Sequence, residues 1–234
     1  MDIHTTVIIA FYLVILLYSI ILHEIAHGLA ALRLGDRTAL AAGRLTLNPR
    51  SHIDPIGSVL LPAVMLIASH FTFAFGWARP VPFDPRNLRN RTWGPVLVAL
   101  SGPVTNFVLA LAAALIARVL PVAEAVKGVI IAGVFRSDWS VLAQAISGSL
   151  SSIIFLLCII AIFWNVLLGI FNLLPIPPLD GSKLLYALVP LSPRAQFALE
   201  QYGFFILIAL VLLFPQPLNY VLSIAEAFFL SIAF

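Results

Sequence analysis

Charge is the scarcest feature of this chain: Asp, Glu, Lys and Arg make up 10% of its 234 residues, while 62% are hydrophobic. Soluble domains carry about a quarter charged residues, so an ordinary water-soluble globule is excluded. Few charges together with 17 Phe also exclude disorder, whose signature is the reverse. Cysteine is nearly absent. The single Cys158 lies in an apolar run, can form no intramolecular disulfide and says nothing about redox compartment. Met1 to Thr6 lacks Lys and Arg, and the stretch that follows runs straight into ionisable residues, so a cleavable signal is not expected. No internal repeat, low-complexity tract or appended soluble domain is visible.

What the chain has instead is long apolar runs, with a mean hydropathy of +1.07. They cover Val7 to Leu34, Ile56 to Phe75 (broken by Pro62), Val96 to Leu120 and Val141 to Phe171, followed by two tail pieces, Tyr202 to Phe214 and Leu218 to Phe234. The runs are continuous and rich in Leu, Ala and Ile rather than alternating, which favours helices over a transmembrane barrel. The expected fold is an all-α membrane protein, a polytopic helical bundle of about four to six membrane segments. It forms one membrane-embedded domain over residues 1–234, with its core at about 7–185 and a hydrophobic tail at 202–234. Arg37 to Asn48 alternates partially around Ala-Gly and reads as a small β-hairpin. The net charge of +3 comes from arginines in short loops, a pattern of membrane orientation rather than of nucleic-acid binding.

Ionisable groups within a membrane helix are costly and point to function. The first run places three of them together, His23-Glu24-Ile-Ala-His27. On a helix, positions i and i+4 share a face, about 6 Å apart along the axis, so both imidazoles can reach one ion while Glu24 sits beside it. This is the H-E-x-x-H arrangement of metalloproteases, usually with zinc. The alternative is a polar cluster lining an ion or proton path, as in a membrane transporter. That reading calls for repeated, interrupted helices, and no repeat is seen. Catalytic zinc takes three protein ligands and a water. Most carboxylates lie in polar loops or near the termini, but Asp180 closes the fourth run in Leu174-Pro-Ile-Pro-Pro-Leu-Asp-Gly181. Three prolines make that backbone non-helical, which a membrane tolerates where it lines a protein cavity. Gly181 admits close backbone approach. Asp180 could also simply cap a helix opening at Ser182.

With Asn172-Leu-Leu-Pro and Leu179-Asp180-Gly181 late in the chain, His23-Glu24-x-x-His27 resembles the site-2 protease family of intramembrane zinc metalloproteases. Gly102-Pro-Val-Thr-Asn106 resembles that family's central G-P-x-x-N motif, and Gly76-Trp-Ala-Arg-Pro-Val-Pro82 its intervening loop. The likeness covers roughly residues 7 to 185. It implies one zinc ion on His23, His27 and Asp180, Glu24 as catalytic acid/base, Asn106 near the scissile carbonyl and Asn172 in substrate binding. The chain has neither the PDZ nor the CBS domain of larger relatives. The implied activity is hydrolysis of a peptide bond in or near the transmembrane segment of a single-pass membrane protein, in a prokaryotic cell membrane, with no nucleic-acid partner. An unwound substrate segment has an edge strand to pair with if Leu45 and Thr46 belong to the hairpin.

Topology can be argued without the family. His23 and His27 lie about 24 to 30 Å along the helix from Val7, toward one membrane face. If Ile56 to Phe75 crossed fully, Asp180 would finish on the opposite face. If that run is re-entrant, Asp180 returns to the face of the histidines. The re-entrant topology puts Arg33, Arg37, Arg44, Arg50, Arg79, Arg86, Arg89, Arg91, Lys183 and Arg194 on that face, against Arg118, Lys127 and Arg136 on the other. A full crossing divides the same charges seven to six. The larger bias marks the site's face as cytoplasmic. His52 and Asp54 read as a local turn network, and His70 as interfacial or core.

Overall fold

The computed structural model describes residues 3–68, 76 and 78–234, and all regular structure among them is helical. In order these are α1 (Ile3–Arg33), α2 (Thr38–Ala41), a 3-10 turn (Pro49–Ser51), a π-type turn (Pro55–Leu60) running into α3 (Leu61–Ala68), a second 3-10 turn (Pro85–Asn87), α4 (Trp93–Val119), α5 (Glu124–Arg136), α6 (Trp139–Ala145), α7 (Leu150–Asn172), α8 (Gly181–Leu188), α9 (Pro193–Leu213) and α10 (Pro215–Ala233). Four stretches among the described residues are long and apolar enough to cross a membrane: Thr5–Arg33, Trp93–Val119, Leu150–Asn172 and Pro193–Leu213. The chain divides into two compact units, one of Met1–Ser19 with Pro103–Phe234 and one of Ile20–Gly102.

The β-hairpin expected over Arg37 to Asn48 does not form. Thr-Ala-Leu-Ala at 38–41 is helical instead, started by Asp36, whose carboxylate accepts the Thr38 N–H at 3.1 Å, and stopped at Gly43, where φ is +64°. Alanine and leucine are strong helix formers, and with the Asp36 carboxylate taking up the first helical N–H they outweigh a weak alternation. Leu45 and Thr46 therefore lie in a bend, not on an edge strand. In the second apolar run the helix is described over Pro55–Ala68; residues 69–75, His70 among them, lie outside the described residues. The re-entrant path expected of this run gains no support from the fold.

Two boundaries differ from the reading of the sequence. The run from Val141 breaks at Ser147-Gly148-Ser149, where Gly148 has φ +75° and the Ser149 hydroxyl accepts the Ser152 N–H to open α7. The tail helix α9 starts at Pro193 rather than near Tyr202, because Ser192 caps it, accepting the Ala195 N–H at 3.2 Å, with proline in the first turn. A helix of 21 residues results.

In the larger unit α7 packs against α5 and α10. Its Phe155, Ile159, Ile160 and Ile162 are fully buried beside Ala110, Ala114 and Ala117 of α4. Small residues on one helix face allow close approach, which matters in lipid, where apolar burial alone does not drive helices together. Tyr12 holds α1 in this unit, edge-on to Trp139 and Trp164 at 5.5 and 5.1 Å between ring centroids. Such aromatic pairs contribute about 0.5–1.5 kcal/mol each beyond area burial. Lys127 is buried rather than a loop charge: it lies over the Phe155 ring and donates to the Ala233 carbonyl at 3.5 Å, while Arg118 donates to the Ile232 carbonyl. Two cations thus meet the negative end of the α10 dipole.

In the smaller unit Asp36 is the organising group. It is completely buried, and its carboxylate accepts the Thr38 N–H and hydroxyl, the Asp84 N–H at 2.7 Å and the Asn87 amide at 3.0 Å. Burial opposes ionisation, but these donors, the Thr38 and Asn87 side chains foremost, hold the Asp36 carboxyl below the usual carboxylate range. A depressed native pKa contributes stability that is present above the unfolded value and lost as pH falls through the native one. Asp36→Ala is therefore expected to destabilise the protein by about 1–3 kcal/mol at neutral pH. The difference from the parent should shrink below about pH 4, as read by thermal melts in detergent at several pH values.

Candidate active site

One turn of α1 carries His23, Glu24 and His27, and their potential ligand atoms lie within 4.8 Å of one another. The imidazoles stand at right angles, with Nε2 facing Nε2 at 3.0 Å. Two nitrogens on one tetrahedral zinc, each about 2.0–2.1 Å from it, lie about 3.3 Å apart, so the pair fits that ion with a small adjustment. His27 Nδ1 sits 2.7 Å from the Val98 carbonyl. A carbonyl can only accept, so Nδ1 carries the proton and Nε2 presents its lone pair toward a metal. The Ser101 hydroxyl donates to the same carbonyl at 2.6 Å.

Gly102 explains itself here. A Cβ at that position would lie 2.5 Å from Cε1 of both His23 and His27. The first residue of Gly102-Pro-Val-Thr-Asn106 thus leaves room for the imidazoles, and Pro103 removes an N–H from the α4 ladder one turn beyond Ala99. Glu24 accepts the Val81 N–H on Oε2 at 2.8 Å.

Asn106, fully buried in the larger unit, donates to Asn165 Oδ1 at 2.8 Å, and Asn165 donates in turn to Ser19 and to the Ala161 carbonyl, each at 2.9 Å. Reading the sequence missed Asn165 and Ser19. The available signal was an amide alone in an apolar run and a serine one turn before His23. Asp180 stands at the start of α8, without a cap bond to that helix, after a non-helical segment spanning the three prolines. Gly181 permits this loop: its missing side chain faces the Leu173 and Leu174 carbonyls. Gly203 of α9 abuts the Pro177 carbonyl in the same way.

The expected substrate-binding residues are occupied otherwise. The Asn172 amide donates back to the Leu168 carbonyl at 3.0 Å and finishes α7. Leu45 lies over Gly28, and the Thr46 carbonyl pairs with His52 Nε2 at 2.8 Å. His52 and Asp54 form the local turn network anticipated for them, with Asp54 capping the π-type turn through the Ile56 and Gly57 N–H groups.

A His-Glu-His cluster on an apolar helix, within a polytopic helical chain, defines a membrane-embedded metallopeptidase. The chain belongs to peptidase family M50, whose model matches residues 11–211. It is 40% identical over 214 residues to the Bacillus subtilis (strain 168) protein named "Putative zinc metalloprotease YwhC", covering 90% of this chain and 84% of that one. It is 33% identical to the protein of Mycolicibacterium smegmatis named "Putative zinc metalloprotease Rip2", covering 87% of this chain and 66% of that one. A Mycobacterium tuberculosis (strain H37Rv) protein of the same name is also 33% identical, with 65% of its length covered. No solved structure matches the chain. The protein is an intramembrane zinc metalloprotease, and the transporter reading is set aside.

If Gly102 keeps the imidazoles in place, Gly102→Ala should weaken zinc binding by at least about tenfold while helical content stays at the parental level. Chelator competition and circular dichroism on the same preparation read both quantities.

Proposed function

We propose that this protease cuts a single-pass membrane protein in or near its transmembrane segment, in a prokaryotic membrane, at a site facing the cytoplasm. The observation that carries the reading is the pairing of His23 Nε2 with His27 Nε2 beside Glu24. In this reading zinc is held by His23, His27 and Asp180. The aspartate is supported by its place in Leu179-Asp180-Gly181 and by the non-helical segment before it, a backbone that membranes admit where it lines a cavity. Zinc supplies a polarised carbonyl and an acidified water when bound.

The chain's own groups do the rest. Glu24 takes a proton from the attacking water and returns it to the departing amine. His27 keeps one tautomer through Val98. The Asn106 amide donates a hydrogen bond to the substrate oxygen as charge gathers there, a contribution preorganised by Asn165. A helical peptide bond is shielded by its own ladder, so substrates with Gly, Pro or Asn near the cut unwind more readily and are preferred. The second apolar run enters and returns on the cytoplasmic side; the ten-to-three division of Lys and Arg supports this path. Residues 1–234 then act as one protease domain. Leu45 and Thr46 border the substrate path as irregular backbone rather than as an added strand, and Asn172 borders it from the end of α7.

Glu24→Gln should lower kcat by about 10²–10⁴-fold with zinc still bound. Asp180→Ala should cost more than the about 10–100-fold in zinc affinity typical of groups that only orient ligands. Metal analysis and cleavage of a transmembrane peptide test both. Parental turnover in the first variant, or parental zinc affinity in the second, would remove the corresponding role.

A further inference from the structure

The segment Ala78 to Pro82 has no regular structure, and its sequence leaves it unusually poor in donors: Pro80 and Pro82 have no N–H, so Val81 supplies the one main-chain donor of the 80–82 triplet. That donor goes to Glu24 Oε2, and Val81 is itself buried. The segment is fixed immediately upstream from both sides. The Arg79 N–H donates to the His52 carbonyl at 2.8 Å, and the Arg79 carbonyl accepts Arg44 Nη2 at 2.6 Å.

Arg44 is the odd member of this set. It is only 7% exposed, its Nε has no hydrogen-bond partner among the described residues, and it makes no contact ion pair there. Burying a guanidinium is costly unless something compensates. Among the charges acting on it, Arg79 repels and Glu24 attracts. The residue therefore carries a desolvation cost that its single strong hydrogen bond does not justify as packing. Its geometry gives that cost a use. Arg44 grips the Arg79 carbonyl two residues before the Val81 N–H, so it sets where that N–H points. The N–H in turn engages Glu24 Oε2 and so fixes the direction of the carboxylate.

We propose that Arg44 and the Val81 N–H are positioning elements for Glu24: the arginine holds the Arg79-Pro-Val-Pro82 segment, and the Val81 N–H orients the carboxylate. The inference rests on the reading of Glu24 as acid/base. It predicts a role in turnover for a loop residue that is not itself a proposed metal ligand or acid/base.

The test uses the full chain in detergent with a transmembrane peptide that the parent cleaves. Arg44→Gln and Val81→Pro should each lower kcat about a hundredfold, the loss that a misplacement of about 1 Å in a reacting group can cause. KM and zinc affinity should stay within about threefold, since substrate and metal contacts are untouched. Arg44→Lys, which keeps the charge but not the planar fork, should recover part of the rate. The deciding measurement is the combination with Glu24→Gln. If Arg44 acts through Glu24, Arg44→Gln costs no further rate in that background. Should it cost the same factor there as in the parent, or should Arg44→Gln reduce zinc affinity as much as turnover, the proposal is overturned. Parental turnover in Glu24→Gln alone would instead sink the acid/base reading. If Val81→Pro does not fold, the cycle between Arg44 and Glu24 still decides.

Discussion

A proton between an imidazole and a backbone carbonyl organises this protein's chemistry. His27 Nδ1 and the Val98 oxygen lie 2.7 Å apart, both sheltered from water. In such surroundings the hydrogen bond is electrostatically strong and its loss expensive. Because the carbonyl cannot donate, the ring has one tautomer, and its other nitrogen keeps a lone pair. Much of the smaller unit follows from keeping Val98 in that position. α4 must pass close to α1, which requires Gly102 to lack a side chain, and Ser101 steadies the same carbonyl.

The helical chemistry was legible in the sequence because it is local. His23, Glu24 and His27 share one turn, and the helix period alone puts them together. The long apolar runs likewise named three of the four spanning helices. What failed was judgement of short polar stretches. Arg37 to Asn48 looks alternating, but the Asp36 carboxylate rewards a helical start at Thr38, and no pattern of apolar residues reveals that competition. α9 was cut short because apolar residues were counted and the Ser192-Pro193 start was passed over. Asp36 itself looked like one more loop acid; its burial depends on Asp84 and Asn87, about fifty positions away, and only the fold brings them near.

The polar groups of the larger unit show how one amide can dictate another. The Ala161 carbonyl accepts only, so the NH2 of Asn165 must face it and Ser19. The Asn165 oxygen is then turned to Asn106, which has to present its own NH2. Nothing in the G-P-x-x-N spacing specifies the sense of that final amide. It is inherited from a main-chain carbonyl on α7 through the Asn165 amide of the same helix. In an apolar medium this chain is hard to reverse, since turning any member would leave two donors or two acceptors facing each other.

Gly203 gives the far end of the protein an unexpected standing. It sits midway along α9, in a region that hydropathy alone would mark as a passive anchor, with its Cα face pressed to the Pro177 carbonyl three residues before Asp180. That oxygen belongs to a stretch in which three prolines lack an N–H, and the bare helix surface covers it. The tail is therefore upholstery for the aspartate loop rather than ballast, and a side chain added at Gly203 would press on that loop from a helix outside the chain's recognisable motifs.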